Sequence, residues 1–415
     1  MDTNALLDLE TRTARISATL DCRPEIGAVW RQSLAIIEAG SSLSLEDIAV
    51  PTGEIVSVLV GETTYLEDPQ SVQIAKGIYT AIARPGRISS HPGEVFDRAH
   101  RAGRLSSLVD QENGGRASYA RADMDPNWKE ARAEFVSAVP RLLKHPGPIY
   151  LKAVSVASLL ADISPERHPI AERIVMMASE SELRRDLILS DPITTSRHTG
   201  LSTTAQANWT MPPSVALSTG GFRAWSPSTA KGMDELLTGL HRAISREAGR
   251  IGQIAAWAEK VREVSHSERK KTPKWSLERC LLGTPLLTAN MVATDLGCSN
   301  RTARRLLNDA EEQGLVHRIL ERQTFRVYAI QPLRDLIGEK AQPSKARQGR
   351  AGGQTLPLDQ ERMTERDLVP KDSRNEHSDA AQRLDEILGG LDKIKSETDR
   401  ILEKYSRRRR THDPF

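Results

Sequence analysis

The chain has 415 residues, and its 58 basic and 55 acidic residues give a net charge of +3. This length is enough for two or three domains, and the near balance of charge excludes a global basic field that would attract nucleic acid. Cys22, Cys280 and Cys298 are too few and too scattered for a disulfide framework or a zinc site. The absence of a membrane-length apolar run and of a signal-peptide pattern leads us to expect a cytoplasmic, nucleoid-associated protein without membrane contact.

Residues 1–263 have a mainly helical pattern and are predicted to form one helical domain. Apolar spacing predicts individual helices over 6–20, 26–39 and 228–264. Residues 149–188 alternate apolar runs with a break near Pro165, whereas the polar stretch 84–127 contains the Pro and Gly signals of loops. Residues 264–275 are basic and are predicted to form a hinge.

Residues 288–314 have the pattern of a helix-turn-helix. Thr288 is a candidate N-cap of a first helix, and the residues from Gly297 to Ser299 form a turn that is short enough for a sharp corner. Ser299 is a candidate cap for a second helix, and Gly314 is placed to end it. The second helix has apolar residues at three- and four-residue spacing, namely Ala303, Leu306, Leu307 and Ala310.

The polar face of this second helix is the candidate DNA-binding site. It consists of Ser299, Asn300, Arg301, Arg304, Arg305 and Asn308. Arg binds guanine O6 and N7 bidentately, and Asn does the same with adenine N6 and N7, so this composition favours a recognition helix in the major groove. The alternatives are a solvated helix face and a helix-turn-helix that is used only for protein contacts.

The residues after the second helix predict a β-hairpin, or wing, from the β-rich runs 315–320 and 324–330. Three arginines of this hairpin are placed to contact phosphates, namely Arg318, Arg322 and Arg326. A supporting helix is predicted over 275–282, just upstream of the helix-turn-helix. Residues 276–331 are therefore predicted to form a winged helix-turn-helix DNA-binding domain.

Three further segments follow the predicted wing. Residues 332–375 are rich in charge, Gly and Pro and are predicted to be a flexible linker. Residues 376–406 are predicted to form an amphipathic or coiled-coil helix, with a seam of Leu384, Ile387, Leu391, Ile394 and Ile401. This seam favours equally a homodimer contact and docking on its own chain. The basic tail 407–415 is either a phosphate contact or a solvated end.

Residues 225–331 resemble the C-terminal part of Fic-type proteins, in which a long helix leads into a winged helix, and residues 25–225 resemble the Fic helical domain. The Fic motif is His-Pro-Phe, two residues, Gly-Asn-Gly-Arg, two residues and Arg, and of this the chain keeps only His168-Pro169. In that family the histidine acts as a base and the glycine-rich turn holds nucleotide phosphates. The chain lacks this turn, and with it the anion cradle at a helix start.

Two shorter resemblances complete this comparison. Residues 42–47 are similar to the Fic inhibitory motif (Ser or Thr, three residues, Glu, then Gly or Asn), with Asp47 at the last position. The layout of residues 25–331 resembles a rhizobial plasmid-associated family that joins a domain of unknown function to a C-terminal helix-turn-helix. This second resemblance implies DNA binding and assigns no role to the helical domain.

Enzymatic signatures are missing from the sequence. It contains no phosphate loop, no His-Glu-x-x-His zinc motif and no Gly-x-Ser-x-Gly nucleophile elbow. His168 is a candidate general base, but a helix-capping or surface histidine is the favoured interpretation. We therefore predict a mainly α, non-enzymatic protein without cofactor.

The predicted partner is double-stranded DNA, and the predicted role is that of a transcriptional regulator or plasmid-maintenance factor. The helical domain would sense, oligomerise or act as a scaffold, and the sequence indicates no particular small-molecule effector. The alternative is a Fic-like nucleotidyl transferase of altered mechanism with a regulatory winged helix.

Overall fold

A computed structural model describes residues 3–61, 68–109, 126–185, 207–210, 213–220, 230–267, 274–321 and 325–334. In these ranges the chain is mainly helical and has one small antiparallel sheet, which confirms the predicted fold class. The first nine helices are α1 (Thr3–Cys22), α2 (Pro24–Leu45), α3 (Thr52–Leu59), α4 (Pro69–Ala83), α5 (Pro92–Val109), α6 (Pro126–Lys144), α7 (Ile149–Ile163), α8 (Pro169–Arg185) and α9 (Pro213–Gly220). The remaining elements are α10 (Ala230–Ser267), α11 (Lys274–Gly283), β1 (Leu286–Thr288), α12 (Ala289–Leu296), α13 (Asn300–Glu312), β2 (Val316–Glu321) and β3 (Arg326–Ile330).

The helices α1 and α2 confirm the first two predicted helices and extend them at both ends. One stripe of α1 is buried at three- and four-residue spacing, and it consists of Leu6, Leu9, Thr13, Ile16 and Leu20. In α2 the buried residues run from Ile26 to Leu43 and include charged and polar side chains. The break predicted near Pro165 is also confirmed, since it separates α7 from α8.

The predicted loop over 84–127 is wrong in part, because α5 (Pro92–Val109) lies within it. The apolar residues Val95, Phe96, Ala99 and Ala102 are buried and follow helical spacing. Proline was interpreted as a loop signal there, yet Pro92 begins the helix, as Pro24 and Pro69 do elsewhere in the chain. Proline suits this first position, because the N–H that it lacks has no partner within the helix. The loop signal at 111–118 lies outside the described residues.

The predicted hinge over 264–275 also needs correction. Residues 264–267 continue α10, and α11 begins at Lys274, so only 268–273 of this segment lie outside the described residues. The helical domain and the residues after it contribute to one continuous hydrophobic cluster. Trp257 and Val261 of α10 belong to it together with Leu315 and Leu333. The described parts of the chain on either side of this segment are therefore packed together through α10.

The sheet is small and lies near the C-terminal end of the described chain. Its strand order is β1-β3-β2, and both pairings are antiparallel, with Leu287 opposite Tyr328 and His317 opposite Ala329. The register of β2 shifts between Arg318 and Leu320. The three-residue strand β1 was not predicted. A short 3-10 helix, Gln331–Leu333, follows β3 and packs against α10, so ordered structure continues beyond the predicted boundary at 331.

The helix α8 lies inside the helical domain, where it packs against α4, α5, α7 and α9. It is buried around its circumference although it contains many charged residues, among them Glu172, Arg173, Glu180, Glu182 and Arg184. Buried charges are stable only when they are paired or hydrogen-bonded. Among the described helices, none has the length and apolar content needed to cross a membrane.

Candidate nucleic-acid interface

The two helices α12 and α13 meet at the turn predicted from the sequence. The Thr288 side chain caps α12 by accepting a hydrogen bond from the Met291 N–H at 3.2 Å. Gly297 ends α12 in the left-handed conformation at φ +62°, which only glycine adopts without steric cost. Ser299 then caps α13 by accepting from the Thr302 N–H at 3.2 Å. Both predicted caps are therefore confirmed.

The helix α13 has one buried and one exposed face. The buried face consists of the four predicted residues Ala303, Leu306, Leu307 and Ala310. Ser299, Asn300, Arg301, Arg304 and Arg305 are exposed. The helix ends where Leu315 N–H donates to the Ala310 carbonyl and Gly314 adopts φ +65°.

The charges of α13 are arranged against the helix dipole. The N-terminal end of a helix favours negative charge and the C-terminal end favours positive charge, each by about 0.3–1 kcal/mol. The first turn of α13 contains Arg301 and no acidic residue, whereas the last turn contains Asp309, Glu311 and Glu312 and no basic residue. This arrangement does not serve the stability of the helix. It does concentrate exposed positive charge on the N-terminal half of α13.

Two predicted contact residues, Asn308 and Arg318, are engaged within the protein. Asn308 Oδ1 accepts a hydrogen bond from the Tyr328 hydroxyl at 2.9 Å. Arg318 forms an ion pair with Glu311 at 2.7 Å, and its guanidinium carbon lies 5.7 Å from the centre of the Tyr328 ring. These contacts connect the last turns of α13 to the hairpin. They favour a positioning role for Asn308 and Arg318 over direct DNA contact.

Of the two remaining predicted wing residues, Arg326 lies on β3. Arg326 is exposed at the start of β3, opposite Glu321 of β2. Arg322 lies outside the described residues. The structure thus brings together the arginines of α13 on one exposed surface, and we call this surface, formed by Asn300, Arg301, Arg304 and Arg305, the arginine face.

Sequence reasoning missed the contacts that hold α13 against the helical domain. The Trp257 indole N–H donates to the Leu315 carbonyl at 2.8 Å, and Lys260 Nζ donates to the Gln313 carbonyl at 2.8 Å. Trp257 is buried, so its hydrogen bond is shielded from water. The apolar stripe of α10 was visible in the sequence, but its partner, 58 residues away for the Trp257–Leu315 bond, was not.

His168 occupies a packed position at the start of α8. It is buried, and its ring stacks on Trp128 with the ring centres 5.2 Å apart and the planes at 13°. The backbone of α5 approaches from another side, since a Cβ added to Gly103 would lie 2.9 Å from the His168 Cβ. The imidazole is therefore enclosed by α5 and Trp128. A general base that acts on a bound nucleotide needs an open approach to the reacting group.

The two stretches that resemble Fic motifs meet in space. Glu46 Oε1 lies 2.6 Å from Arg173 Nη2, and the same guanidinium donates to the Ser42 carbonyl at 3.3 Å. Asp47 has φ +61°, a conformation that favours Gly or Asn, which are the residues of the inhibitory motif at this position. However, Ile174 and Val175 occupy motif positions of the glycine-rich turn, and both are buried in the core.

In comparisons with known proteins, no protein-family model and no curated protein matches this chain.

Proposed function

We propose that the chain is a DNA-binding protein, a transcriptional regulator or plasmid-maintenance factor, which uses α11 to β3 as a winged helix-turn-helix. The order of elements is helix, strand, two helices joined by a three-residue turn, and a two-stranded hairpin. In this class the second helix of the turn enters the major groove and its N-terminal residues contact base edges. The arginine face lies on this part of α13.

The proposal rests on the exposed positive charge in the N-terminal half of α13, where the helix dipole disfavours positive charge. Arg301, Arg304 and Arg305 are exposed, and between Ser299 and Asn308 the sequence contains no acidic residue. The folded chain gains little from this arrangement, because the helix dipole opposes it. A polyanionic partner would compensate it, and the fork of Arg is suited to guanine edges and phosphates.

The direct test measures binding of the full-length chain to duplex DNA by fluorescence anisotropy, after selection of preferred sites from a random duplex pool. Replacement of Arg304 or Arg305 by Ala should weaken binding to a selected site by about 1–3 kcal/mol if the side chain contacts a base. If the side chain contacts a phosphate instead, the slope of log affinity against log salt concentration should decrease in magnitude by about one. Arg15→Ala removes an exposed arginine of α1 and is the matched control.

The variants also have expected results for folding, and some binding results would contradict the proposal. The three variants should have circular dichroism spectra like that of the wild type, because the replaced side chains are exposed. Equal loss of affinity in the Arg15 variant would indicate only a general charge effect. Failure of the full-length chain to bind any duplex at low salt would overturn the proposal. We also propose that residues 376–406 form a homodimer contact. The seam residues of this contact lie outside the described part of the chain.

The second candidate, a Fic-like nucleotidyl transferase of altered mechanism, is favoured by the pairing of Glu46 with Arg173. Two features weigh against it: the enclosed ring of His168 and the apolar residues in place of a phosphate-binding turn. Incubation of the chain with labelled ATP, Mg²⁺ and a cell lysate distinguishes the candidates. Labelling of a protein that disappears in a His168→Ala variant would establish the transferase, whereas background labelling in both would remove it.

A further inference from the structure

A second polar centre lies inside the helical domain, where α1, α2, α7, α8 and residues 207–210 meet. Glu180 lies at the centre of this group. Its carboxylate accepts hydrogen bonds from Arg184 Nε at 2.7 Å and from the Thr210 N–H at 3.0 Å. Arg31 enters from α2 and donates from Nε to the Trp209 carbonyl at 3.0 Å. The guanidinium carbon of Arg184 lies 5.2 Å from the centre of a buried tyrosine ring, that of Tyr150. None of these residues belongs to the arginine face.

Three hydrogen-bond donors of this centre have no hydrogen-bond partner within the described part of the chain. They are Nη2 of Arg31, Nη2 of Arg184 and Oγ1 of Thr210. Their residues are only 7%, 2% and 0% exposed, so surface water does not satisfy them. The Glu10 carboxylate lies 3.8 Å from Arg184 Nη2, which is too long for a hydrogen bond. Because buried donors normally have partners, these three atoms are the ones that a bound acceptor would satisfy.

The charges of the centre indicate what kind of acceptor fits. Burial, together with a smaller effect of the neighbouring Arg184, lowers the pKa of Arg31 to about 10 against the attraction of Asp21 and Glu180. Burial also raises the pKa of the Glu10 and Asp21 carboxyls, which weakens the compensation that they provide. Two guanidinium groups that repel each other are stabilised by an anion that both contact.

The backbone of α2 passes close to the Arg31 guanidinium at Gly27. Gly27 precedes Arg31 by one helical turn, and a Cβ at this glycine would lie 3.3 Å from Arg31 Nη1. Such a contact is tighter than usual, so a side chain at position 27 would require the guanidinium to shift by a few tenths of an ångström. Glycine at this position therefore allows the Arg31 side chain to fold back along α2 towards α1.

We propose that Arg31, Arg184 and Thr210 form an internal binding site for a small oxyanion, a carboxylate or a phosphate group. Its oxygens accept hydrogen bonds from Nη2 of both arginines and from the Thr210 hydroxyl. Arginine is suited to such a ligand because its planar N–H groups match the geometry of carboxylate and phosphate oxygens. The site gives the helical domain a ligand of its own, and this proposal does not rest on the proposed DNA binding.

The test uses thermal unfolding of the full-length chain at constant ionic strength, with sodium phosphate or sodium acetate as the probe and sodium chloride as the reference. A ligand that binds only the folded state raises the unfolding midpoint in a saturable manner. We expect one of the two probes to do so, and the choice of probe distinguishes a phosphate from a carboxylate site. No saturable rise with either probe, or an equal rise with chloride, would overturn the proposal.

Variants connect the effect to the proposed atoms. Thr210→Val removes the unpartnered hydroxyl but keeps the backbone N–H that binds Glu180, so this variant should fold and bind the probe several-fold more weakly. Arg31→Gln should weaken binding at least tenfold, and Arg15→Gln, at an exposed site of α1, should bind as the wild type does. Equal probe affinity in the wild type and Thr210→Val, or a crystal structure grown with the probe that shows only ordered water at these atoms, would contradict the proposal.

Discussion

Replacement of Trp257 tests whether the helical domain and the residues from α11 to β3 are stabilised together. This side chain is 6% exposed and belongs to the hydrophobic cluster that both parts share. Its indole N–H donates to the Leu315 carbonyl, which also accepts from the Gln331 N–H at 3.0 Å. Trp257→Phe therefore removes one hydrogen bond without leaving this carbonyl unpaired, whereas Trp257→Ala removes the ring as well.

The two variants should lower the free energy of unfolding by different amounts, because they remove different contacts. Loss of a hydrogen bond whose acceptor keeps another partner costs about 0.5–1.5 kcal/mol. Removal of a buried tryptophan ring costs about 3–5 kcal/mol, since the transfer free energy is lost and a cavity is left. The control is Gln253→Ala, one turn earlier on an exposed position of α10, and its expected cost is within about 0.5 kcal/mol.

The assay combines urea unfolding, followed by circular dichroism, with hydrogen exchange of peptides from α13, β2 and β3. In the wild type we expect exchange in these peptides to be limited by the same opening as in α10. Trp257→Ala should accelerate exchange in β2 and β3 more than in α4, which packs against α2, α3, α5 and α8. The reasoning would be refuted if exchange in β2 and β3 were unchanged and the free energy of unfolding fell by less than about 1 kcal/mol. Removal of a buried ring from a shared core should cost more than this.

Four further changes have expected outcomes. Tyr328→Phe deletes the donor to Asn308 Oδ1 and should cost about 0.5–1.5 kcal/mol in urea unfolding; no measurable cost would show that water replaces it fully. Ser299→Ala removes the cap of α13 and should cost about 1 kcal/mol, a loss that Ser299→Asp should largely avoid. Gly297→Ala should cost about 1 kcal/mol through its positive φ, since a Cβ there meets no described atom within 4 Å. Burial raises the pKa of the Glu10 carboxyl above its ordinary 4.5. Its contribution to the free energy of unfolding is therefore complete below pH 4.5 and is lost as the pH rises through the pKa of the folded state. Glu10→Gln, which keeps an acceptor for the Tyr150 N–H, should make stability decline less steeply with rising pH.

Local signals in the sequence were sufficient to predict the turn between α12 and α13. The caps Thr288 and Ser299 act within three residues of themselves, and the stripe from Ala303 to Ala310 depends only on helical spacing. Each of these interactions joins residues that are close in sequence. The exposed position of the arginines follows from the same periodicity, because their positions alternate with those of the buried stripe.

The features that the sequence did not predict depend on interactions between residues that are distant in the sequence. The roles of Asn308 and Arg318 depend on Tyr328, and the position of α13 depends on Trp257. The buried polar centre was missed for the same reason, since Glu180 and Arg184 share a helix but meet Arg31 only through the fold. A signal was present, because several charges occur among the apolar residues of α8. Such a helix is polar by composition, and only tertiary structure shows that it is buried.

In the proposed function, α10 connects the candidate DNA-binding helix α13 to the helical domain. The C-terminal end of α13 is held through the Gln313 and Leu315 carbonyls, which accept from Lys260 and Trp257 of α10. Its N-terminal half has the exposed arginines. Because α10 also packs against α1, α2 and α9, it connects α13 to these helices of the helical domain. In the proposed function, the orientation of the arginine face therefore depends on α10 and on the helices that pack against it.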